Sequence, residues 1–277
     1  MKLTIEGRRI GCDDTGGSGV PLVLLHGFPL DRTIWDEQLP ALAAARVVRI
    51  DLRGCGESEA SDGPALMDAL AADAAGVLDA LGIERAAFAG HSIGGYVMLA
   101  FFRMYAERVA GLALVASHVA ADASGAATAG ANPEQRALAG GRDALAAQLE
   151  AEGTMEPAIA SYLPRYFAPG VYRERPELVA RARAVMERQD PRGCAQLVRG
   201  MQQRVGSEDL LEDIAVPALV VAGAEDAYLR PGTLRDTASR IAGATFVELA
   251  GVGHLPMYEA PAATNAALTG WIARVGR

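Results

Sequence analysis

Gly90-His91-Ser92-Ile93-Gly94 sets a serine between two glycines at the spacing G-x-S-x-G, which suits a sharp strand-to-helix turn presenting a hydroxyl as nucleophile. Glycines at the flanking positions remove side chains that would collide with the neighbouring strand and helix, and Gly95 extends that close approach by one residue. An ordinary glycine-rich loop is the alternative. The apolar run Ala86 to Ala89 before the motif and the helical pattern Ile93 to Tyr105 after it favour the nucleophile. A serine hydroxyl reacts at neutral pH only beside a base, and that base needs a partner to fix its tautomer. The histidines are His26, His91, His118 and His254. His91 is expected to point away from Ser92 across the turn, and His26, in an HG motif, to pack or brace a loop. His254, in Gly251-Val252-Gly253-His254-Leu255-Pro256, follows the last apolar run on a short loop, where open parallel sheets carry their active groups. For the acid, VVAGAEDAY offers Glu225 and Asp226. Asp226 is the better choice, because the G-x-x-D spacing after Gly223 lets its carboxylate turn back toward the site.

These residues need a frame. Short apolar runs alternate with longer amphipathic stretches, the pattern of a mostly parallel sheet flanked by helices. An N-terminal pair, Leu3 to Ile5 and Arg9 to Asp13, precedes runs at Pro21 to Leu25, Val47 to Ile50, Ala86 to Ala89, Gly111 to Val115, Ala218 to Ala222 and Thr245 to Leu249. Helices are expected near Asp31 to Ala44, Pro64 to Leu81, Ile93 to Tyr105, Pro231 to Ile241 and Ala260 to Val275, with Pro64 and Pro231 in first turns and Gly82 just past a helix end. From about Ser117 to Gly206 no strand-like run occurs and prolines punctuate a helical pattern. The expected organisation is therefore a core of residues 1–117 and 207–277 with a helical cap at 118–206, inserted before the last two strands. The small-residue stretch AADASGAATAGANP at its start suits a hinge or lid.

Composition narrows the chemistry. A net charge of −8 and no dense basic run argue against a nucleic-acid partner. Lys2 is the only lysine, which nearly excludes Schiff-base and P-loop chemistry. The arginine, alanine and glycine bias suggests a GC-rich bacterial source. Cys12, Cys55 and Cys194 form no CxxC pair, so neither a disulfide framework nor a zinc site is indicated. Glu6, Arg8 and Arg9 interrupt the N-terminus before an apolar stretch of signal-peptide length, and no membrane span is indicated, so a cytoplasmic location is expected.

Taken together, the order Ser92, Asp226, His254 resembles the α/β-hydrolases. LLHGFPLDRTIW resembles that family's HG oxyanion loop, DLRGCGES its D-x-R-G-x-G-x-S segment, and GVGHLPMYEAP the surroundings of its catalytic histidine. The resemblance implies catalysis by Ser92, Asp226 and His254, with an oxyanion hole from the backbone N–H groups of Phe28 and Ile93. Pro29 has no N–H to offer. It also implies an acyl-enzyme on Ser92, hydrolysed by water, with no metal and no organic cofactor. Serine at the elbow sets the chain apart from members with a carboxylate nucleophile, the haloalkane dehalogenases and epoxide hydrolases. The nearest resemblance is to small bacterial carboxylesterases and 3-oxoadipate enol-lactonases, with cofactor-free haloperoxidases and perhydrolases close behind. The expected substrate is thus a small ester or lactone. A non-catalytic ligand-binding module ranks behind, since all three triad residues are present.

Asp51, Arg53 and Gly54 are expected to be scaffold, and neither Cys55 nor His91 receives a role. Trp35 and Phe28 suit either a pocket or the core. Tyr162, Leu163, Tyr166, Phe167 and Met186 suit an apolar ceiling, and Arg165 suits a substrate carboxylate or plain solvation.

Overall fold

The computed structural model describes residues 1–121 and 133–276. The apolar runs become the strands β1 (Lys2–Ile5), β2 (Arg8–Asp14), β3 (Pro21–Leu25), β4 (Arg46–Ile50), β5 (Ala86–His91), β6 (Val109–Val115), β7 (Ala218–Gly223) and β8 (Thr245–Leu249). They make one eight-stranded sheet in the order β1-β2-β4-β3-β5-β6-β7-β8. β1 and β2 pair antiparallel and β2 meets β4 antiparallel, whereas β4-β3-β5-β6-β7-β8 is parallel throughout. Every residue of β5 and β7 is buried, which is why these strands read as unbroken apolar runs rather than alternating ones.

Helices α1 (Met67–Ala80) and α2 (Ile93–Tyr105) pack on each other, and α2 lies against β5. Between β6 and β7 the described elements are helical: α3 (Pro133–Glu152), α4 (Glu156–Tyr162), α5 (Val171–Glu174), α6 (Pro176–Glu187) and α7 (Pro191–Gln202). α8 (Pro231–Ser239) joins β7 to β8, and α9 (Pro256–Glu259) and α10 (Pro261–Val275) close the chain. The candidate hinge falls largely on 122–132, outside the described residues.

Two expected helices start or end differently. In place of a helix over Asp31 to Ala44 there is a short 3-10 helix, Arg32–Gln38, capped by the Asp31 carboxylate, which accepts from Thr33 N–H at 3.0 Å. Thr33, Ile34 and Trp35 in succession lose side-chain freedom in an α-helix, and Pro40 brings no N–H. The helix expected from Pro64 begins at Met67, because Ala65 N–H is taken by Gln196 C=O at 2.9 Å and Leu66 is extended. Gly82 ends α1 with φ +65°, as its position suggested, and Ile83 N–H reaches back to Leu78 C=O at 2.8 Å.

α7 sits on the core by backbone contact. A Cβ added to Gly193 would stand 2.4 Å from Gly54 Cα, one on Gly54 2.5 Å from Gly193 Cα, and one on Gly200 1.8 Å from Ala65 O. Nearby, the Asp31 carboxylate accepts from Arg188 Nε at 2.8 Å and Gln189 Nε2 at 3.0 Å, and Gln189 Oε1 accepts from Gly56 N–H at 2.7 Å. The polar loop after β4 is scaffold. Asp51 accepts from Arg32 N–H at 2.8 Å and Glu57 N–H at 2.9 Å, and Arg53 holds Asp73 through two bonds of 2.5 and 2.7 Å. His26, fully buried, donates from Nδ1 to Gly27 C=O at 2.9 Å and accepts Leu52 N–H on Nε2 at 2.9 Å, bracing the loops that follow β3 and β4.

Gly193→Ala should lower stability by about 1–3 kcal/mol through overpacking. In urea this appears as a lower midpoint at an unchanged slope. Gly141→Ala, in α3 with nothing within 4 Å of an added Cβ, should instead raise the midpoint. Burial lowers the His26 pKa below its ordinary value. The unfolded chain then binds the proton first as pH falls, so stability is full above about pH 6.5 and declines below it toward the folded pKa. His26→Gln should flatten that decline in urea titrations between about pH 7.5 and 5.5.

Candidate active site

Ser92 lies between β5 and α2 at φ 50°, ψ −117°. A non-glycine residue at positive φ costs on the order of 1–3 kcal/mol and persists only where its surroundings fix it. Here they do. Ser92 N–H donates to Val115 C=O at 3.1 Å, and Ser92 C=O accepts Gly95 N–H at 2.9 Å and the Ser117 hydroxyl at 2.7 Å. A Cβ on Gly90 would stand 2.4 Å from Gly94 C, one on Gly94 2.5 Å from Leu25 O, and one on Gly95 2.2 Å from Ser117 Oγ. All three glycines are therefore required by space, and the Ser92 side chain makes no capping bond to the helix it opens.

His254 follows β8, two residues before α9. Its Nδ1–H donates to Asp226 Oδ2 at 2.8 Å, with both side chains buried. Its backbone N–H donates to Tyr166 C=O at 2.8 Å, and its C=O accepts from His91 Nε2–H at 2.8 Å. Nε2 is the remaining polar atom of the residue. Asp226 is fixed in turn, because its Oδ1 accepts Tyr228 N–H at 2.8 Å and Leu229 N–H at 3.1 Å. Glu225 beside it is exposed.

His91 packs beside His254. Its ring lies 5.0 Å from that of His254, and a Cβ on Gly27 would meet His91 Nδ1 at 2.3 Å. It thus packs between the loop after β3 and the loop after β8. Burial, then the neighbouring His254 charge, push its pKa well below the ordinary range. The ring stays neutral with its proton on Nε2, consistent with the bonded Nε2 and the partnerless, buried Nδ1.

The loop Gly27-Phe28 is held by Leu30 N–H to Gly27 C=O at 3.0 Å and by the Tyr166 hydroxyl, which donates to Phe28 C=O. Among the other aromatic residues singled out, Tyr162 is half-buried, 5.2 Å from the Phe28 ring. Trp35, Phe167 and Met186 are buried members of the hydrophobic core. Arg165 is exposed, with its guanidinium 4.7 Å over the Tyr228 ring.

Two residues that the sequence reading gave no role belong here. The Tyr228 ring lies 4.9 Å from that of His254, tilted at 54°, and its hydroxyl donates to Tyr162 C=O at 2.9 Å. Glu259 is buried, and its carboxylate accepts Gly253 N–H at 3.0 Å, Leu255 N–H at 3.2 Å and Ala168 N–H at 2.8 Å. Burial raises its pKa, while the three donated N–H groups act against that rise. Glu259 lies within GVGHLPMYEAP, so its spacing from His254 was a usable signal. Tyr228 carries none beyond its nearness to Asp226. Among the described residues, no group of three or more His, Cys, Asp or Glu could hold a metal ion, and no helix is long and apolar enough to cross a membrane.

The model of the alpha/beta hydrolase family matches residues 22–267. The structure is similar to a thermophilic esterase from Thermogutta terrifontis, with a TM-score of 0.91 and 34% identity over 100% of this chain and 99% of that one. It is also similar to the enol-lactonase from Burkholderia xenovorans LB400, with a TM-score of 0.86 and 28% identity over 99% and 100% of the two chains. In sequence, RutD of Azorhizobium caulinodans, described as a candidate carbamate hydrolase, is 31% identical over 77% of this chain and 76% of its own. Other curated relatives match in part. The chain spans 32% of a dihydrolipoyllysine-residue acetyltransferase component of an acetoin cleaving system from Pseudomonas putida and 35% of epoxide hydrolase A from Mycobacterium tuberculosis. With a family match over nearly its whole length and the same mostly parallel sheet, the chain belongs to the alpha/beta hydrolase family.

Proposed function

We propose that the protein is a serine hydrolase of small carboxylic esters or lactones, working through an acyl-enzyme on Ser92. The observation that carries this reading is the hold on His254. Asp226 fixes its Nδ1–H at 2.8 Å, and its backbone N–H and C=O are both engaged, so Nε2 is the atom left to exchange protons. In this reading the Ser92 hydroxyl attacks the carbonyl carbon while its proton passes to His254 Nε2, and Asp226 stabilises the imidazolium. The carbonyl oxygen becomes an alkoxide facing the N–H groups of Phe28 and Ile93. Ile93 opens α2, and the positive end of that helix adds to the field. Collapse of the intermediate expels the alcohol, which takes the proton from His254. Water, deprotonated by the same nitrogen, then releases the acid and frees Ser92. Each backbone donor aimed at an alkoxide is worth roughly 3 kcal/mol in a site closed to water.

The helices between β6 and β7 act as a cap in this reading. Tyr162 and Tyr228, whose rings stack at 5.8 Å, form an apolar wall beside His254, which suits an uncharged acyl or alkyl group. The similarity to an esterase and to an enol-lactonase supports the ester and lactone classes. Carbamate, as in the relative from Azorhizobium caulinodans, would form the same kind of acyl-enzyme.

The parent should turn over p-nitrophenyl acetate and become labelled by a fluorophosphonate, and Ser92→Ala should lose both. A parent inert toward short esters, lactones and carbamates, and unlabelled, would sink the proposal. Asp226→Asn should lower kcat by about 10⁴ through the wrong imidazole tautomer, with KM nearly unchanged. Stopped-flow acylation is the measurement, and an unchanged burst rate would remove Asp226 from its assigned role.

A further inference from the structure

Tyr166 stands between a 3-10 turn, Leu163–Arg165, and α5, and it is 1% exposed. Its three polar groups are all spent on the protein, the N–H on Leu163 C=O at 3.3 Å. The hydroxyl donates to Phe28 C=O, and the backbone C=O accepts His254 N–H at 2.8 Å. Its ring lies nearly parallel to the imidazole, at 27° with centroids 5.9 Å apart. The next two residues press on the same loop, since a Cβ on Gly253 would stand 2.6 Å from Phe167 C and 2.5 Å from Ala168 N. Ala168 N–H then joins Gly253 N–H and Leu255 N–H on the Glu259 carboxylate. Residues 166–168 therefore form a strap from the helical excursion to the two loops on either side of Ser92.

We propose that Tyr166 is a positioning residue, through which the helices between β6 and β7 hold the Phe28 loop and the His254 loop in register around Ser92. The proposal rests on the reading of Phe28 N–H as an oxyanion donor and His254 as the base. What sets Tyr166 apart from a plain pocket wall is that it ties two loops at once, Phe28 through its hydroxyl and His254 through its carbonyl. This hydroxyl has one proton, and it goes to Phe28 C=O. Burial pushes the phenol pKa well above its ordinary value, so the group remains a donor at any working pH. Without the hydroxyl, a buried carbonyl loses its partner and the Gly27-Phe28 segment keeps only the bond from Leu30 N–H to Gly27 C=O, so the Phe28 peptide can shift its N–H off the place where the alkoxide forms. The bond from His254 N–H to Tyr166 C=O is made by backbone and survives that change.

Tyr166→Phe tests this, because it keeps the ring and the carbonyl. With p-nitrophenyl acetate, kcat should fall about tenfold or more, KM should stay within about twofold, and the pH profile should keep its acid limb, since the base is untouched. Amide hydrogen exchange over residues 26–30 should quicken while β5 and β6 keep their protection. Glu259→Gln slackens the strap from its other end and should also lower kcat, which provides a second variant if Tyr166→Phe folds poorly. A rise in KM at unchanged kcat would make Tyr166 a pocket wall and overturn the proposal. Unaltered exchange over 26–30 would overturn it too. A parent with neither turnover nor fluorophosphonate labelling would instead sink the hydrolytic reading, and exchange would still decide whether the strap holds the Phe28 loop.

Discussion

The backbone at Ser92 is the constraint around which the rest is arranged. A serine at φ 50° holds stored strain, and the bonds that keep it there come from neighbouring elements. Val115 C=O belongs to β6, Ser117 follows it, and Gly94 lies against the carbonyls of Leu25 and His26 at the end of β3. Three parallel strands, β3, β5 and β6, must therefore end at one level for the turn to exist. Once they do, the loop after β3 is beside Ser92 without further design. The same parallel order brings the ends of β7 and β8, with Asp226 and His254, to the same edge.

Burial of the carboxylates there is tolerated because both are paired. Asp226 divides its two oxygens between the imidazole and two backbone N–H groups. Glu259 takes three backbone N–H groups that would otherwise be orphaned around His254. His91 solves a subtler difficulty. Two imidazoles 5.0 Å apart would repel if both were imidazolium cations, and burial keeps His91 neutral. Its one N–H serves the backbone of His254.

Much of the frame was legible in the sequence, since buried parallel strands write themselves as short apolar runs and glycines mark the places where backbones touch. Ser92, Asp226 and His254 stood out because each follows its own run, and the structure brings Asp226 and His254 into contact. His91 received no role because its partner, the His254 carbonyl, is 163 residues distant. Tyr166 presented itself only as one of the apolar residues of the helical insertion. Its hydroxyl reaches a carbonyl 138 residues away, and a backbone acceptor leaves no trace in residue type. The helix expected over Asp31 to Ala44 fails on local grounds, through the β-branched Thr33 and Ile34 and through Pro40.

The helices between β6 and β7 are joined to the sheet in two physically different ways. Along α7 the contact is backbone on backbone, at Gly54 with Gly193 and at Gly200 with Ala65. Such contact leaves no side chain to rearrange and resists any shift of register. Along 166–168 the contact is a set of hydrogen bonds, each worth about 1 kcal/mol net, to Phe28, His254 and Glu259. Loss of the first kind of contact falls on stability, because a close-packed seat cannot be half-filled. Loss of the second falls on geometry, because the loops it holds carry the groups around Ser92. The same excursion thus contributes to the fold at one end and to the arrangement of the site at the other.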